Sequence, residues 1–261
     1  MCLHKRGLTL LLNKRRTLLK IAAAGMAGAA MPRALRAAYP RVRALAFDAF
    51  PIFDPRPVFA LCEKHFPGKG SALADAWRVR QFDYQWLRAL SGHYADFWRT
   101  SEDALVFASR LLSLTLHDEA RVEIMNGYLN MPVWPVVPKG LTELRAAGIR
   151  LSFVSNATDV ILQAGLRNAG LGDAFEHVLS TDRIKTYKPD PRAYRMAMEA
   201  LRLPREEIGF VAFAGWDAAG AKAFGYPTYW VNRLKLPPEE LGVRADGVGD
   251  NLSGLLGFLK G

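Results

Sequence analysis

Residues 44–48, Ala44-Leu-Ala-Phe-Asp48, form a short apolar run that ends in an aspartate, and the turn-prone Pro51 follows shortly after it. Further apolar, β-branched runs recur at 149–154, 208–213 and 228–231. Segments with helical spacing lie between or near them, at 140–147, 160–169 and 192–201. Strands that alternate with helices are typical of a parallel sheet covered by helices on both faces. The sequence therefore predicts an α/β fold built on a parallel sheet.

Three polar side chains lie at or just beyond the carboxyl ends of these apolar runs, namely Asp48, Ser155 and Asp217. In open α/β sheets, ligands bind outside the carboxyl ends of the strands. Their shared position therefore marks these three residues as candidates for a functional site.

Residues 57–131 follow a different pattern, because they contain no strand-like run and are rich in helical spacing. Val79, Phe82, Trp86 and Leu90 recur at steps of three and four residues, as on a helix. Three prolines, at positions 132, 135 and 138, mark the end of this region. We therefore expect a helical cap at 57–131, inserted into a core domain formed by 39–56 and 132–261.

The basic excess of the chain is confined to its N-terminus. The formal net charge is +10, but residues 1–43 hold ten Lys and Arg and no acidic residue. The remaining 218 residues hold 25 basic and 25 acidic side chains, so the body of the protein is neutral. Its charge therefore gives no reason to expect nucleic-acid binding. Half of the residues are apolar, which excludes a disordered or collagen-like chain.

The N-terminal segment, residues 1–38, is predicted to be an export signal. A basic stretch that includes Arg15-Arg16-x-Leu-Leu-Lys20 precedes a short apolar run at 21–31, the order found in secretory signals. The apolar run is too short to span a bilayer comfortably. The paired arginines resemble the twin-arginine signal, which implies the twin-arginine export machinery as a partner and a periplasmic location. An uncleaved basic tail on a cytoplasmic protein remains the alternative.

Four motifs in the body follow one another in a characteristic order. They are Asp48-Ala-Phe-Pro-Ile-Phe-Asp54, Phe153-Val-Ser155-Asn156, Tyr187-Lys188-Pro189-Asp190 and Gly215-Trp216-Asp217-Ala-Ala-Gly220. A strand-end aspartate, a strand-end serine, a lysine and a last aspartate resemble the haloacid dehalogenase superfamily. The predicted cap segment Trp77-Arg78-x-Arg-Gln-Phe-Asp-Tyr84-x-Trp86 is similar to the cap helix of its type II L-2-haloacid dehalogenase branch. The resemblance runs from about residue 44 to residue 233 and implies a Rossmann-like core with an inserted helical cap.

The resemblance also implies an activity, the hydrolytic dehalogenation of short-chain (S)-2-haloacids. Asp48 would attack the halogen-bearing carbon and expel halide, since carboxylates act as nucleophiles by forming esters. Water would then cleave the ester at the Asp48 carbonyl and release a 2-hydroxy acid of inverted configuration. Neither a cofactor nor a metal ion is expected, and the resemblance implies a homodimer.

Several residue types in these motifs suit the displacement of a halide. A leaving anion needs positive charge or N–H donors, which Arg78 and the Asn156 amide can supply. Ser155 is a candidate for orienting the substrate carboxylate. For Arg78, a surface salt bridge is the alternative.

Lys188 is expected to neutralise Asp48, because an adjacent cation favours the ionised form of a carboxylate. Asp217 would support Lys188 or position the hydrolytic water. Five aromatic residues are candidate walls of a small apolar substrate pocket, with plain core packing as the alternative. They are Phe50, Phe82, Phe97, Tyr194 and Trp216.

Three departures from the type II pattern leave the activity open. The branch has Gly-Thr between the aromatic residue and the next apolar residue, whereas here one residue is missing and Pro51-Ile52 follows Phe50 directly, so a hydroxyl beside the nucleophile is absent. Ala212 and Ala214 stand where the branch has Ser and Asn. A lost polar contact at a reacting centre can cost a factor of about 10² to 10³. The departures predict altered substrate choice, slow turnover or loss of activity, and a weakened relative that binds small carboxylates is the second hypothesis.

A phosphatase of the same superfamily is the third hypothesis. Phe50 occupies the position of the second aspartate in such phosphatases, and Asp217 has no neighbouring acid. Magnesium usually requires more than one carboxylate ligand. The residues themselves therefore disfavour metal-dependent phosphoryl transfer.

Overall fold

A parallel six-stranded sheet lies at the centre of the computed structural model, which describes residues 42–260. The strand order is β3-β2-β1-β4-β5-β6, so β1 is central, between β2 and β4. The strands are β1 Ala44–Phe47, β2 Arg150–Ser155, β3 His177–Ser180, β4 Ile208–Ala212, β5 Thr228–Val231 and β6 Gly247–Gly249. The predicted α/β architecture is confirmed, whereas the predicted export signal at 1–38 lies outside the described residues.

The central strand β1 is buried along its whole length, which explains its unbroken apolar sequence. Its side chains alternate between two apolar clusters, with Ala44 and Ala46 on one face of the sheet and Leu45 and Phe47 on the other. Helices α5 Val137–Ala146 and α6 Asp159–Asn168 contribute to the Phe47 cluster. Helices α7 Pro191–Leu201 and α8 Gly215–Phe224 contribute to the Ala46 cluster, and the short α9 Leu255–Lys260 follows β6.

Of the five α-helices between β1 and β2, the first four lie in the region for which the sequence predicts a helical cap. They are α1 Arg56–His65, α2 Gly70–Leu90, α3 Phe97–Leu111 and α4 Asp118–Asn126. Trp77 of α2 donates a hydrogen bond from Nε1 to the Ser101 carbonyl of α3 at 2.8 Å, and its ring is fully buried. Within residues 42–260, no helix is both long enough and apolar enough to cross a membrane.

The buried side of α2 differs from the apolar spacing that predicts the helix. Leu73, Trp77, Gln81 and Gln85 are the buried residues beyond its first position, one turn apart along the helix. By contrast, Val79 and Leu90 are exposed. The helix therefore buries two glutamines and leaves apolar side chains at its surface, an arrangement that apolar periodicity does not predict.

Candidate active site

The candidate site lies at the carboxyl edge of the three central strands. Asp48 follows β1 directly, and its N–H donates to the Val211 carbonyl of β4 at 3.0 Å. Ser155 is the last residue of β2, and Asp217 lies in the first turn of α8, the helix that follows β4. Because β2, β1 and β4 are neighbours, this connectivity brings the three polar residues to one edge of the sheet.

Lys188 links the two carboxylates of the site. Its Nζ lies 2.8 Å from Asp48 Oδ1 and 2.5 Å from Asp217 Oδ2. The lysine comes from the segment between the 3₁₀ turn Thr181–Ile184 and α7, and its peptide bond to Pro189 is cis. All three residues are buried, so one buried ammonium is shared by two buried carboxylates. A buried charge cluster of this kind is stable only when its members are paired.

Asp48 is the more accessible of the two carboxylates. Its side chain is 10% exposed, against 1% for Asp217. One oxygen accepts the Lys188 ammonium, and Oδ2 accepts the Phe50 N–H at 3.3 Å. Asp48 is thus oriented from two sides and still reaches the surface, as a nucleophile requires. Asp217 is sealed.

Tyr194 and Lys188 hold the two different oxygens of the Asp217 carboxylate. The Tyr194 hydroxyl donates to Asp217 Oδ1 at 2.8 Å, while Lys188 occupies Oδ2. The pKa of Asp217 is raised to about 6, because burial and the nearby charge of Asp48 outweigh the lowering effects of Lys188 and Tyr194. Burial also raises the pKa of Tyr194, which therefore stays protonated and donates. Tyr194 is fully buried behind Asp217, not in the substrate wall where the sequence hypothesis placed it.

Lys188 remains charged in this environment. Burial lowers its pKa, but the attraction of Asp217 and Asp48 and the hydrogen bonds to them outweigh that effect, so the net pKa is raised. The folded-state preference for the ammonium is therefore present at every pH below the ordinary lysine pKa. It is lost only as the pH rises through the raised value.

A second hydrogen-bonded chain joins the cap helix α2 to Lys188. Asn156 Oδ1 accepts the backbone N–H of Lys188 at 2.8 Å and the Thr181 hydroxyl at 3.3 Å. Asn156 Nδ2 donates to Gln85 Oε1 at 3.0 Å. The neighbouring Trp86 donates from Nε1 to the Lys188 carbonyl at 3.1 Å. Two consecutive residues of α2 therefore fix the segment that carries the lysine.

Sequence reasoning missed Gln85. The only signal for it is the four-residue spacing that continues from Trp77 through Gln81, and a glutamine on a helix is ordinarily exposed. Ser155, which was predicted to meet the substrate, is buried, and its hydroxyl accepts the Ala157 N–H at 3.2 Å. That bond leaves its own proton available to a ligand.

The predicted aromatic wall forms only in part. Phe82, Trp86 and Trp216 pack together at the junction of cap and core, with ring centroids 5.4 Å apart between Trp216 and each of the other two. Phe50 is half-buried, and the centroid of its ring lies 6.1 Å from that of Phe213. Phe97 lies elsewhere, since it is buried within the cap and packs edge-on against Tyr128.

The structure does not bring the Arg78 guanidinium to the carboxylates. The guanidinium pairs with Asp75 at 3.0 Å, lies 5.7 Å from the centre of the Phe59 ring, and its side chain is 45% exposed. Arg78 precedes Phe82 by one turn on α2, on the stripe that leads to Trp86. Arg78 therefore shares the side of α2 on which Trp86 contacts the Lys188 segment. Its guanidinium, however, forms a local ion pair with Asp75, which is the surface salt bridge named above as the alternative.

The three sequence departures lie around the nucleophile. Ile52 and Phe53 both donate their N–H groups to the Ala49 carbonyl, at 3.1 and 2.9 Å, so the shortened loop closes as a tight turn. Ala212 ends β4, and Ala214 is the N-cap residue of α8, where neither side chain can form a hydrogen bond.

Within residues 42–260, no three His, Cys, Asp or Glu side chains converge in a way that could hold a metal ion.

Together, the fold and the site define a parallel α/β core with an inserted helical region and a strand-end aspartate as its candidate nucleophile. Residues 15–225 match the family model described as haloacid dehalogenase-like hydrolase. The chain belongs to this family.

Similar proteins carry more specific names. The chain is 40% identical over 206 residues to the (S)-2-haloacid dehalogenase of Pseudomonas sp. (strain YL), covering 78% of this chain and 89% of that relative. It is 36% identical to the haloacetate dehalogenase H-2 of Moraxella sp. (strain B), with coverages of 79% and 92%.

A solved structure of an L-2-haloacid dehalogenase from Xanthobacter autotrophicus, with chloropropionic acid covalently bound, is also similar. It superposes with a TM-score of 0.78 at 30% identity, covering 84% of this chain and 99% of that chain.

Proposed function

We propose that this protein hydrolyses short (S)-2-haloacids to 2-hydroxy acids through an ester on Asp48. The observation that carries the proposal is the accessible Asp48 carboxylate, paired with buried Lys188 while the second carboxylate is sealed. The relatives named as (S)-2-haloacid dehalogenases and the covalent chloropropionic acid complex support the same chemistry.

The proposed reaction has two steps. An oxygen of Asp48 attacks the carbon that bears the halogen, forming a C–O bond as the carbon–halogen bond breaks, and the halide leaves with the electron pair. Water then attacks the Asp48 carbonyl carbon, which releases the 2-hydroxy acid and restores the carboxylate. The products are the hydroxy acid, halide and one proton. Lys188 stays protonated throughout and stabilises the negative charge on the Asp48 oxygens.

Asp217 serves this mechanism as a positioning residue. Its two oxygens are engaged by Lys188 and Tyr194, and its side chain is buried. It therefore fixes the ammonium beside Asp48. In this respect the geometry favours one of the two roles that the sequence left open.

The test is enantioselective dehalogenation. The purified protein is expected to release chloride from (S)-2-chloropropionate and to form lactate of inverted configuration, with little release from the (R) enantiomer. Ion chromatography measures the chloride, and chiral chromatography measures the lactate.

Ala212 and Ala214 favour a second candidate, a weakened relative that binds small carboxylates. Propionate binding without chloride release from either enantiomer would support that candidate and contradict the first.

The raised pKa of Asp217 predicts the acid side of the pH profile. Because ionised Asp217 holds Lys188 in place, kcat/KM is expected to fall as the pH drops through about 6. Tyr194→Phe removes a hydrogen bond that lowers this pKa, so the acid limb should move to higher pH. Initial rates measured from pH 4.5 to 8.5 in both proteins test this; an unmoved limb would contradict the assignment.

The location of the protein is a separate proposal. The basic Arg15-Arg16 stretch and the apolar run after it support export by the twin-arginine route to the periplasm. In a bacterium that carries this route, the full chain is expected in the periplasmic fraction. A variant with Arg15→Lys and Arg16→Lys should stay in the cytoplasm. Cytoplasmic retention of both proteins would contradict export.

We also propose a homodimer. Val79, Leu87 and Leu90 are exposed apolar side chains on one side of α2, a surface that self-association would bury. Light scattering after size-exclusion chromatography should give twice the monomer mass, and Leu87→Glu should lower it. A monomer at all concentrations would refute the proposal.

A further inference from the structure

The side-chain amide of Gln85 contains a buried hydrogen-bond donor without a partner. Gln85 is 0% exposed, and its Nε2 has no hydrogen-bond acceptor among residues 42–260. Nearly all buried polar groups in native proteins are hydrogen-bonded, so an orphaned amide donor requires an explanation. Exchanging the amide oxygen and nitrogen would be the simplest one.

The neighbouring hydrogen bonds exclude that exchange. Asn156 Oδ1 must be an oxygen, because it accepts the backbone N–H of Lys188 at 2.8 Å. Asn156 Nδ2 is then a donor, and its partner in Gln85 must be the acceptor oxygen, 3.0 Å away. Through Asn156, the backbone N–H of Lys188 therefore fixes the orientation of the Gln85 amide. Its NH₂ group is left to donate elsewhere.

A chain of hydrogen bonds connects Gln85 to the lysine of the candidate site. Asn156 joins Gln85 to the backbone of Lys188, whose ammonium contacts Asp48 at 2.8 Å. Trp86, the next residue of α2, holds the Lys188 carbonyl, so Gln85 lies at the same junction of cap and core. The two oxygens of Asp217 already have donors. Because Gln85 Nε2 has no acceptor among residues 42–260, its partner is a bound ligand or a buried water.

We propose that Gln85 Nε2 donates a hydrogen bond to the carboxylate of the bound 2-haloacid. This assignment rests on the proposed function and makes Gln85 a substrate-binding residue. The carboxylate is favoured over the halide because the partner of Gln85, Asn156, directly follows Ser155, whose hydroxyl proton is also available in the same turn. A hydrogen bond to a charged group is among the stronger ones and is present in substrate and product alike.

Two substitutions separate the donor from the rest of the side chain. Gln85→Glu keeps the oxygen that Asn156 needs and replaces the NH₂ group with a second oxygen that repels a carboxylate. Gln85→Met keeps the length and removes both polar atoms. Gln81→Met is the matched control, because Gln81 is also buried on α2 but bonds to Ser101 and Tyr128 within the cap.

The readout is carboxylate affinity, measured by calorimetry with propionate, which has no halogen. Gln85→Glu and Gln85→Met are both expected to weaken propionate binding and raise KM for (S)-2-chloropropionate by about 10- to 100-fold. Gln85→Glu should lose kcat by less than its loss in affinity, since the Asn156 bond persists. Gln81→Met should bind propionate like the wild type.

The possible failures are distinguishable. Wild-type propionate affinity in both Gln85 variants would overturn this assignment and leave the proposed function standing; the donor would then serve a buried water. A loss confined to kcat would also overturn it, because a contact with the departing halide would not alter propionate binding. A wild-type protein that neither binds propionate nor releases chloride would overturn the proposed function and the assignment together.

Discussion

Asp48→Asn is expected to lower the rate of halide release by at least about 10⁴-fold, because loss of the nucleophile from a hydrolase costs that much or more. An amide nitrogen or oxygen does not form the ester that the proposed route requires. The substitution has the same shape, and Lys188 keeps Asp217 as its counter-ion at 2.5 Å. The protein should therefore fold with nearly unchanged stability, so the lost rate can be assigned to chemistry. Chloride release and a thermal unfolding curve measure the two effects.

A single turnover in ¹⁸O-labelled water identifies the atom that water attacks. On the ester route the label enters the Asp48 carboxylate, and the first product carries oxygen from the enzyme. Mass spectrometry of the peptide that contains Asp48 detects this incorporation. Label in the first product with an unlabelled peptide would contradict the ester.

Asp54→Asn is the control, since Asp54 is a buried carboxylate of the same loop that pairs with Arg56 at 2.6 Å, away from Lys188. That variant should retain most of its activity.

Those parts of the fold that depend on continuous apolar runs could be predicted from the sequence. Residues 44–47 and 228–231 are buried strands because both faces of a parallel sheet are covered, which leaves a plain signal in the sequence. Strands β3 and β6 were missed. The first is four residues long and begins with His177, and the second is Gly247–Gly249, so neither has an apolar run to reveal it.

The site was predictable where it depends on strand ends and less so where it depends on the cap. Asp48 and Asp217 follow directly from the topology of β1 and β4. The burial of the glutamines of α2 could not be predicted in this way. Gln81, for example, is buried because it forms hydrogen bonds with Ser101 and Tyr128, which are distant from it in the sequence. For Arg78 the local signal was present, since an aspartate three residues earlier on a helix is within reach of an arginine.

Lys188→Met is expected to destabilise the protein by about 3–5 kcal/mol, the usual cost of removing one partner from a buried ion pair. Asp48 and Asp217 would then be two buried carboxylates without a cation. Their repulsion would raise the pKa of one of them strongly, so that the pair takes up a proton. Activity should be lost as well, because the charge beside the nucleophile is gone. Urea unfolding followed by circular dichroism measures the stability at several pH values.

The pH dependence separates this electrostatic cause from simple loss of packing. A carboxyl group whose folded pKa is raised contributes stability that is present below its unfolded pKa of about 4 and is lost as the pH rises through the folded pKa. The deficit of Lys188→Met should therefore be larger at pH 8 than at pH 5. Adding Asp217→Asn should restore much of the stability, since it removes one of the two stranded charges. Lys139→Met, at an exposed lysine 3.8 Å from Glu143, should change the free energy of unfolding by less than about 0.5 kcal/mol. A deficit independent of pH, and unrelieved in the double variant, would show that Lys188 stabilises the fold through its hydrocarbon chain and not through its charge.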